Sequence, residues 1–364
     1  MARRRVLTTL RLLLAGVVFS SVLAPSPPVE AVAPRHRILA ILFGGRDRRF
    51  DLDLYMLDAR TGERVRRLAS SGVRKAIWSP DHSLVAYSQG FDDALELWVV
   101  RPDGSGRRRL TSNRFLDGWP SWAPRSKRLV VERRDPNAQR DDNELIIIRA
   151  DGSGERNLTN NGKDDVCPDW SPDGKRIAFY RYDSWDVFTI KPDGTGERRL
   201  TSGPDRDGGP KWSPDGKRIL FSRINDIAEQ RDLFTVRRDG SDLQRLTNTR
   251  FQESIYGWSP DGRHIVFAGT RDGSRFMIGV MRVDGSHRRI LVDDAGDFSG
   301  LGLASSADGK RLVYARLQTL SRPVRGDLWT VALDGSEPRA LTSTPAVERD
   351  PSWHAPPQSC LHGY

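Results

Sequence analysis

Short apolar runs separated by turn residues make up most of the chain. Ile38 to Phe43 is an unbroken apolar run of strand length, which reads as a buried strand. Asp53 to Asp58 alternates polar and apolar positions, Thr61-Gly62 is a turn, and Val65 to Leu68 is a third short strand. From Arg74 a longer unit begins. Its first strand ends in Trp78-Ser79-Pro80, and a hairpin at Pro80-Asp81 leads to a second strand, Leu84 to Tyr87. A third runs from Leu95 to Val100, Pro102-Asp103-Gly104 turns the chain again, and Arg108-Arg109-Leu110-Thr111 carries a fourth.

The unit recurs. Trp170-Ser171-Pro172-Asp173-Gly174-Lys175-Arg176-Ile177-Ala178-Phe179 is matched at Trp212 to Phe221 and at Trp258 to Phe267. Worn copies stand at Trp122-Ala123-Pro124 and Ser305 to Lys310, and the start of another at Trp353-His354-Ala355-Pro356. The tryptophan-equivalent positions 78, 122, 170, 212, 258, 305 and 353 lie 42 to 48 residues apart. Four strands in such a period are the signature of a β-propeller blade. Seven first strands and seven fourth strands are present. The three N-terminal strands lack a first strand, and Asp350 to His354 is a first strand lacking the rest. The predicted fold is therefore an all-β propeller of seven four-stranded blades, closed by pairing the N- and C-terminal strands in one blade. Six blades is the alternative count.

The repeated residues have structural jobs. Proline presets φ, and the glycine after aspartate accepts the positive φ that closes each hairpin. Each tryptophan offers a large apolar area to wedge between neighbouring blades. Arginines on the fourth strands oppose edge-to-edge pairing.

The ends change the picture. Arg3-Arg4-Arg5 precedes a thirteen-residue apolar run, Leu12 to Ala24, too short for a comfortable membrane span. Residues 1–31 are assigned to an export signal. Pro25 disfavours cleavage after Ala24, Ala31 and Ala33 suit it, and the cleavage site stays open. The propeller is expected over 38–356 and a C-terminal tail over 357–364. Cys167 and Cys360 form one disulfide or remain two thiols, and no Cys/His spacing suggests a metal. The net charge of +10 comes from 58 basic and 48 acidic residues. Both signs are interspersed and no nucleic-acid motif appears, so the charge reads as a solvated surface.

Candidate chemistry lies where the copies differ. In a four-stranded blade the 2–3 and 4–1 connections share one face, and here they vary. Arg133 to Asn143, Ile224 to Arg231 and Leu317 to Arg325 are long and charged. Insertions mark the functional face of a repeat scaffold. Five residues before the tryptophan position stand Asp117, Asp165, Asp207, Glu253 and Glu348, with Val73 and Gly300 as exceptions. First strands line a propeller's axis, so these acids are expected to ring one channel mouth. There they would bind a cation, an amine or a basic peptide. The competing reading has each carboxylate capping its loop or pairing with Arg114, Arg206, Arg250 or Arg349. No cofactor is expected; a cation such as Ca2+ in the channel is the one exception the rim leaves open. The run Asp141-Asp142-Asn143-Glu144 lacks the glycine and terminal glutamate of a Ca2+ loop and reads as solvated. None of the six histidines falls in the long loops or the rim.

The strings Trp-Ser-Pro-Asp-Gly-Lys-Arg-Ile-x-Phe, Asp-Leu-Phe-x-Val and Asp-Gly-Ser-x-x-Arg-x-Leu-Thr resemble the WD-like repeats of the TolB β-propeller family over residues 38–356. The resemblance implies an exported propeller that binds other macromolecules. TolB itself is described with six blades and an additional N-terminal domain, so the fold carries over and the Tol-Pal partner does not. Such repeats also occur in propellers that gate peptidases, which need a Gly-x-Ser-x-Gly nucleophile, and no such string is present. The expectation is a non-catalytic binding or scaffold module, periplasmic, in the cell envelope or extracellular. It would take a protein or peptide partner on the long-loop face, as a monomer, with no nucleic acid and no stable membrane span. The alternative is a carbohydrate-active propeller enzyme, a glycoside hydrolase or lyase, using rim carboxylates.

Overall fold

The computed structural model describes residues 36–43, 52–91, 94–138, 142–225, 230–270, 276–295, 302–318, 325–344 and 347–353. All belong to the compact unit Ala33–Tyr364. The expected signal and tail segments, Asp141, Gly300 and Cys360 lie outside the described residues. Among the described residues, no helix is long and apolar enough to cross a membrane.

The architecture is all β, built from antiparallel sets of four strands. β1 (Arg37–Phe43), β2 (Leu52–Asp58) and β3 (Arg64–Ala69) pair in order. β4 (Val73–Trp78), β5 (Val85–Phe91), β6 (Ala94–Val100) and β7 (Arg108–Arg109) form the next set. Then come β8 (Leu116–Trp122), β9 (Arg128–Arg134), β10 (Glu144–Arg149) and β11 (Arg156–Asn157). β12 (Asp165–Trp170), β13 (Ile177–Arg181), β14 (Asp186–Ile190) and β15 (Arg198–Arg199) follow. So do β16 (Arg206–Trp212), β17 (Arg218–Asn225), β18 (Gln230–Arg237) and β19 (Gln244–Arg245). β20 (Gln252–Trp258), β21 (His264–Thr270), β22 (Phe276–Arg282) and β23 (Arg289–Val292) make another sheet. β24 (Leu303–Ser305), β25 (Arg311–Gln318), β26 (Arg325–Ala332) and β27 (Arg339–Ala340) complete the run. The last strand, β28 (Val347–Ser352), pairs antiparallel with β1, Leu39 opposite Ser352 and Phe43 opposite Val347. Single parallel pairs, Leu95 with Leu116 and Gly326 with Val347, tie neighbouring sets into two eight-stranded sheets.

The core lies between the sets. Trp122 packs on Ile77, Leu97 and Val99 of the preceding set. Trp170 packs with Val130 and Ile147, and Trp212 with Ala178 and Val187. Trp353 packs with Val313 and Leu328. Where Ser305 replaces tryptophan, Tyr256, Val266 and Ile278 instead meet Leu312, Tyr314 and Val331. Such burial is the main driving force for stacking repeats that cannot bury a face alone.

The fourth strands are mostly two residues long, a length that itself blunts edge pairing. Their arginines also bond across to the next set. Arg108 Nη2 donates to the Ala150 carbonyl at 2.5 Å, Arg156 to the Pro192 carbonyl, and Arg289 to the Leu333 carbonyl at 2.6 Å. Arg339 donates to the Arg60 carbonyl at 3.1 Å.

In the first hairpin of five units, the serine hydroxyl two residues earlier donates to the aspartate, as Ser213 does to Asp215 at 2.7 Å. The backbone N–H two residues later donates too, as in Lys217 to Asp215 at 3.0 Å. Burial alone would push Asp173, Asp215 and Asp261 up, but these bonds hold each below the usual carboxylate range. A depressed folded pKa contributes stability that is present above the unfolded value and lost as pH falls through the folded one. The melting temperature is therefore expected to hold from neutral pH to mild acid and fall below roughly pH 4. A thermal melt series across that range checks it, and a flat profile to pH 2 would contradict it.

Candidate functional site at the propeller axis

The first strands stand beside one another. β24 packs by β28, β28 by β4, β4 by β8, β8 by β12, β12 by β16 and β16 by β20. In a propeller these strands face the axis. Each of β4, β8, β12, β16, β20 and β28 carries a register shift against its partner. In four of them an Xaa-Pro pair stands at the shift: Trp119, Cys167, Gly209 and Asp350 have φ of 47°, 58°, 62° and 47°, each just before a proline. Proline disfavours helical conformations in the residue before it, and a positive φ strains any residue but glycine. The strain at Trp119, Cys167 and Asp350 is of the order of 1–3 kcal/mol each. A bulge of this kind bends the strand and re-aims its side chains.

The five rim acids each stand on a first strand, and they are buried. Asp117, Asp165, Glu253 and Glu348 are 0% exposed and Asp207 is 1% exposed. Arg133 donates to Asp117 at 2.6 and 2.9 Å. Arg181 donates to Asp165 at 2.6 and 3.0 Å, and Arg223 to Asp207 at 2.6 and 2.8 Å. Arg288 donates to Glu253 at 2.7 and 3.1 Å. Glu348 accepts from the hydroxyls of Thr342 and Thr344, with Arg64 at 3.7 Å. These are not the neighbours expected from the sequence. Arg114 pairs with Asp135, Arg206 lies over Trp185, and Arg349 meets Asp350.

Burial pushes the Asp165 and Asp207 carboxyls up, and the arginine bonds oppose it. Burial likewise works against Arg181, yet the bonds it donates to Asp165 and Glu197 raise its pKa above the usual range. For such a bidentate pair the charged state of both groups governs. In Asp117, Asp165 and Asp207 both oxygens are engaged by one arginine, an ion-pair setting unlike that of a free acid or base in glycoside cleavage, whereas Glu253 takes both Arg288 bonds on Oε1 and its buried Oε2 has no partner among the described residues.

A second charged group lies among the first strands, and it is looser. Lys75 of β4 and Lys211 of β16 are each 7% exposed. Lys75 Nζ stands 3.7 Å from Asp350 Oδ1 of β28 and 5.4 Å from the centre of the Trp119 ring of β8. Lys211 Nζ stands 3.6 Å from Asp169 Oδ1 of β12, whose other oxygen accepts from the Trp212 N–H at 2.8 Å. Arg349 Nε is 3.6 Å from Asp350 Oδ2. Burial pushes the Lys75 ammonium below its usual range against the pull of Asp350, and the charges of Lys211 and Arg349 push the same way. Burial pushes Asp169 up, with Lys211 opposing. The first strands β28, β4 and β8 thus contribute to the group around Lys75 and β12 and β16 to the pair at Lys211.

Other expectations fall elsewhere. The ends of two of the long connections are strand: β17 and β18 pair out to Asn225 and Gln230, and β25 and β26 to Gln318 and Arg325; residues 139–141, 226–229 and 319–324 lie outside the described residues. Arg133 is in β9, not a loop. Asn143 bonds Asp164, and Glu144 accepts from Thr159 and the Asn161 and Gly162 N–H groups. Among the described residues no group of histidines, cysteines or acids has metal-holding geometry. His82 is buried against Trp78 at a ring separation of 5.3 Å. Cys167 is disulfide-bonded and buried, its N–H donating to Glu132 at 2.6 Å. Sequence reasoning missed the axial residues. The available signal was the proline two residues before Trp122, Trp170, Trp212 and Trp353, which marks the bulge.

Known proteins resemble this chain. The sequence profile described as the TolB beta propeller domain matches residues 77–299 and 166–358. The Tol-Pal system protein TolB of Anaeromyxobacter dehalogenans (strain 2CP-C) is 41% identical over 46 residues, 13% of this chain and only 11% of that relative's length. Among solved structures, TolB from Acinetobacter baumannii has a TM-score of 0.53 at 16% identity, covering 88% of this chain and 83% of that one. A puromycin-hydrolyzing peptidase of Mycobacterium tuberculosis has a TM-score of 0.62 at 15% identity, covering 87% of this chain and 55% of that one. At such identities the structures share a fold and nothing finer. The profile matches run together from residue 77 to residue 358, over the same repeats whose tryptophans and hairpins build the sets, and the chain belongs to the TolB β-propeller domain family.

Proposed function

We propose that this chain is an exported seven-bladed propeller, closed by β28 with β1 to β3, that binds a protein or peptide at its axis. The ligand enters from the face carrying the 2–3 and 4–1 connections. Support for the closure comes from the β1–β28 pairing and from the packing of Trp353 on Val313 and Leu328. Support for export is the N-terminal charge and apolar pattern. The observation that carries the binding reading is the axial cluster. Asp117, Asp165 and Asp207 each take an arginine bond at 2.6 Å, whereas Lys75 and Lys211 meet their carboxylates only at 3.7 and 3.6 Å. Ammonium groups not tied up in short bonds, beside strained and bulged backbone, are suited to take up a ligand's acceptors. The rim acids serve this reading by fixing the mouth.

Site-specific crosslinking tests it. With p-benzoyl-phenylalanine in place of Trp119, the mature protein should crosslink a partner from an envelope extract. The same group in place of Lys217, on an opposite-face hairpin, should not. Crosslinks from Lys217 alone would place the partner on the wrong face and refute axial binding.

A further inference from the structure

We infer that the face of the Asp-Gly hairpins carries a phosphate-binding cleft built around Arg176, a site independent of the axial one. The cleft has a volume of about 430 Å³ and is lined by Lys175, Arg176, Lys191, Pro192, Asp193 and Arg238, four cations and one acid. Asp193 is engaged within its own turn, where it accepts from the Thr195 N–H at 2.9 Å and the Thr195 hydroxyl at 2.6 Å. Arg238 reaches Asp173 only at 3.8 Å. Among the described residues no carboxylate forms an ion pair with Lys175 or Lys191.

The sister units show what Arg176 lacks. Arg176, Arg218 and Arg311 hold the same place in three units. Each donates to a threonine hydroxyl: Thr189 at 3.0 Å, Thr235 at 3.1 Å and Thr330 at 3.2 Å. Each also donates to a backbone carbonyl in the second turn of its unit, that of Gly196, Asp242 or Glu337. In two units the side chain of that same turn residue completes the set. Asp242 accepts from Arg218 Nη1 at 2.8 Å, and Glu337 from Arg311 Nη1 at 2.6 Å. In the third the residue is Gly196, and Arg176 Nη1 makes no bond among the described residues. A guanidinium cannot shed its charge, so the place filled by a built-in carboxylate in the sister units favours an oxyanion from outside here. Burial pushes the half-buried Arg176 guanidinium below its usual range, and the charges of Arg198 and Arg238 push the same way. A bound anion relieves both effects. A phosphate group brings up to two charges and three acceptor oxygens against the one charge of a carboxylate, which suits a cleft whose cations outnumber its acid.

Two measurements on the intact protein test the site: calorimetric titration with inorganic phosphate and with acetate, and cosedimentation with phosphatidylcholine vesicles with and without phosphatidic acid. Phosphate should bind at least tenfold tighter than acetate. Gly196→Asp supplies the counter-ion of the sister units and should weaken phosphate binding at least tenfold. Asp242 and Glu337 have φ of 55° and 52°, close to the 62° of Gly196, so the turn accepts a side chain. Gly106→Asp adds the same charge to a turn whose unit has Leu84 in the place of Arg176, and should leave binding unchanged. If Gly196→Asp does not fold, Lys175→Met with Lys191→Met is read instead, at two exposed positions, with the same expected loss. Cosedimentation that requires phosphatidic acid and is lost in the variant assigns the phosphate to a lipid headgroup. Binding of free phosphate without such cosedimentation assigns it to a soluble phosphate monoester. No binding of phosphate in either form, equal binding of phosphate and acetate, binding that survives Gly196→Asp, or equal weakening by Gly106→Asp would overturn the site.

Discussion

Replacing Asp165 by asparagine should lower the unfolding free energy by about 3–5 kcal/mol, the usual cost of breaking a buried ion pair from one side. Asp165 is fully buried and takes two bonds from Arg181, whose side chain is only 6% exposed. Asparagine offers one acceptor, and its amide N–H groups then face a guanidinium that has only donors. Asn161, which donates to the same carboxylate at 2.9 Å, loses its partner's charge as well. Denaturant titration measures the change. Asp165→Asn together with Arg181→Met should recover a large part of it, since an apolar pair is often no less stable than a buried ionic one. A loss under 1 kcal/mol, with ligand binding weakened, would instead make Asp165 a ligand group, and Asp207→Asn would be read the same way.

The second large effect is expected at the seam between the set of β24 to β27 and the set of β28 with β1 to β3. Gly62 has φ of 75°, and a Cβ there would stand 1.9 Å from the Leu341 carbonyl oxygen. Gly302 approaches the partner strand as closely, with a Cβ 2.3 Å from Asp350 Cα and from Pro351 Cδ. In both cases the obstacle is backbone or a proline ring, which cannot swing aside. Gly62→Ala combines a left-handed conformation with an overpacked contact and should cost about 2–5 kcal/mol. Gly174→Ala is the control. Its φ is 68°, but its Cβ would meet only Pro124 Cδ at an ordinary 3.7 Å, so it should cost about 1–2 kcal/mol. Equal losses at the two positions would show that the seam has room.

The strands were legible because one pattern repeats, and each copy corrects the reading of the others. The burial of the rim acids was legible in principle. Asp117 and Arg133, Asp165 and Arg181, and Asp207 and Arg223 are each sixteen residues apart and directly opposite in register. A fixed hairpin makes that spacing a cross-strand pair. Neighbours in sequence, Arg114 and Arg206, drew attention away from it. The axial cluster was not legible. Lys75, Asp169, Lys211 and Asp350 come from four copies and occupy positions where the copies disagree. A periodic reading treats such differences as wear. Only the stacking of one first strand on the next brings each lysine to its carboxylate, and that depends on bulges whose direction the sequence does not state.

The pairing of β28 with β1 also decides how the fold would answer a mechanical load. Leu39 lies opposite Ser352, and Phe43 opposite Val347. The outgoing end of β28 and the incoming end of β1 therefore sit at the same end of the ladder. Tension applied between Arg37 and Ser352 would peel that ladder rung by rung, starting at Leu39, instead of loading all its hydrogen bonds in parallel. A propeller tethered in this way at both ends would be a weak link in tension, opening first along the line where its two ends meet.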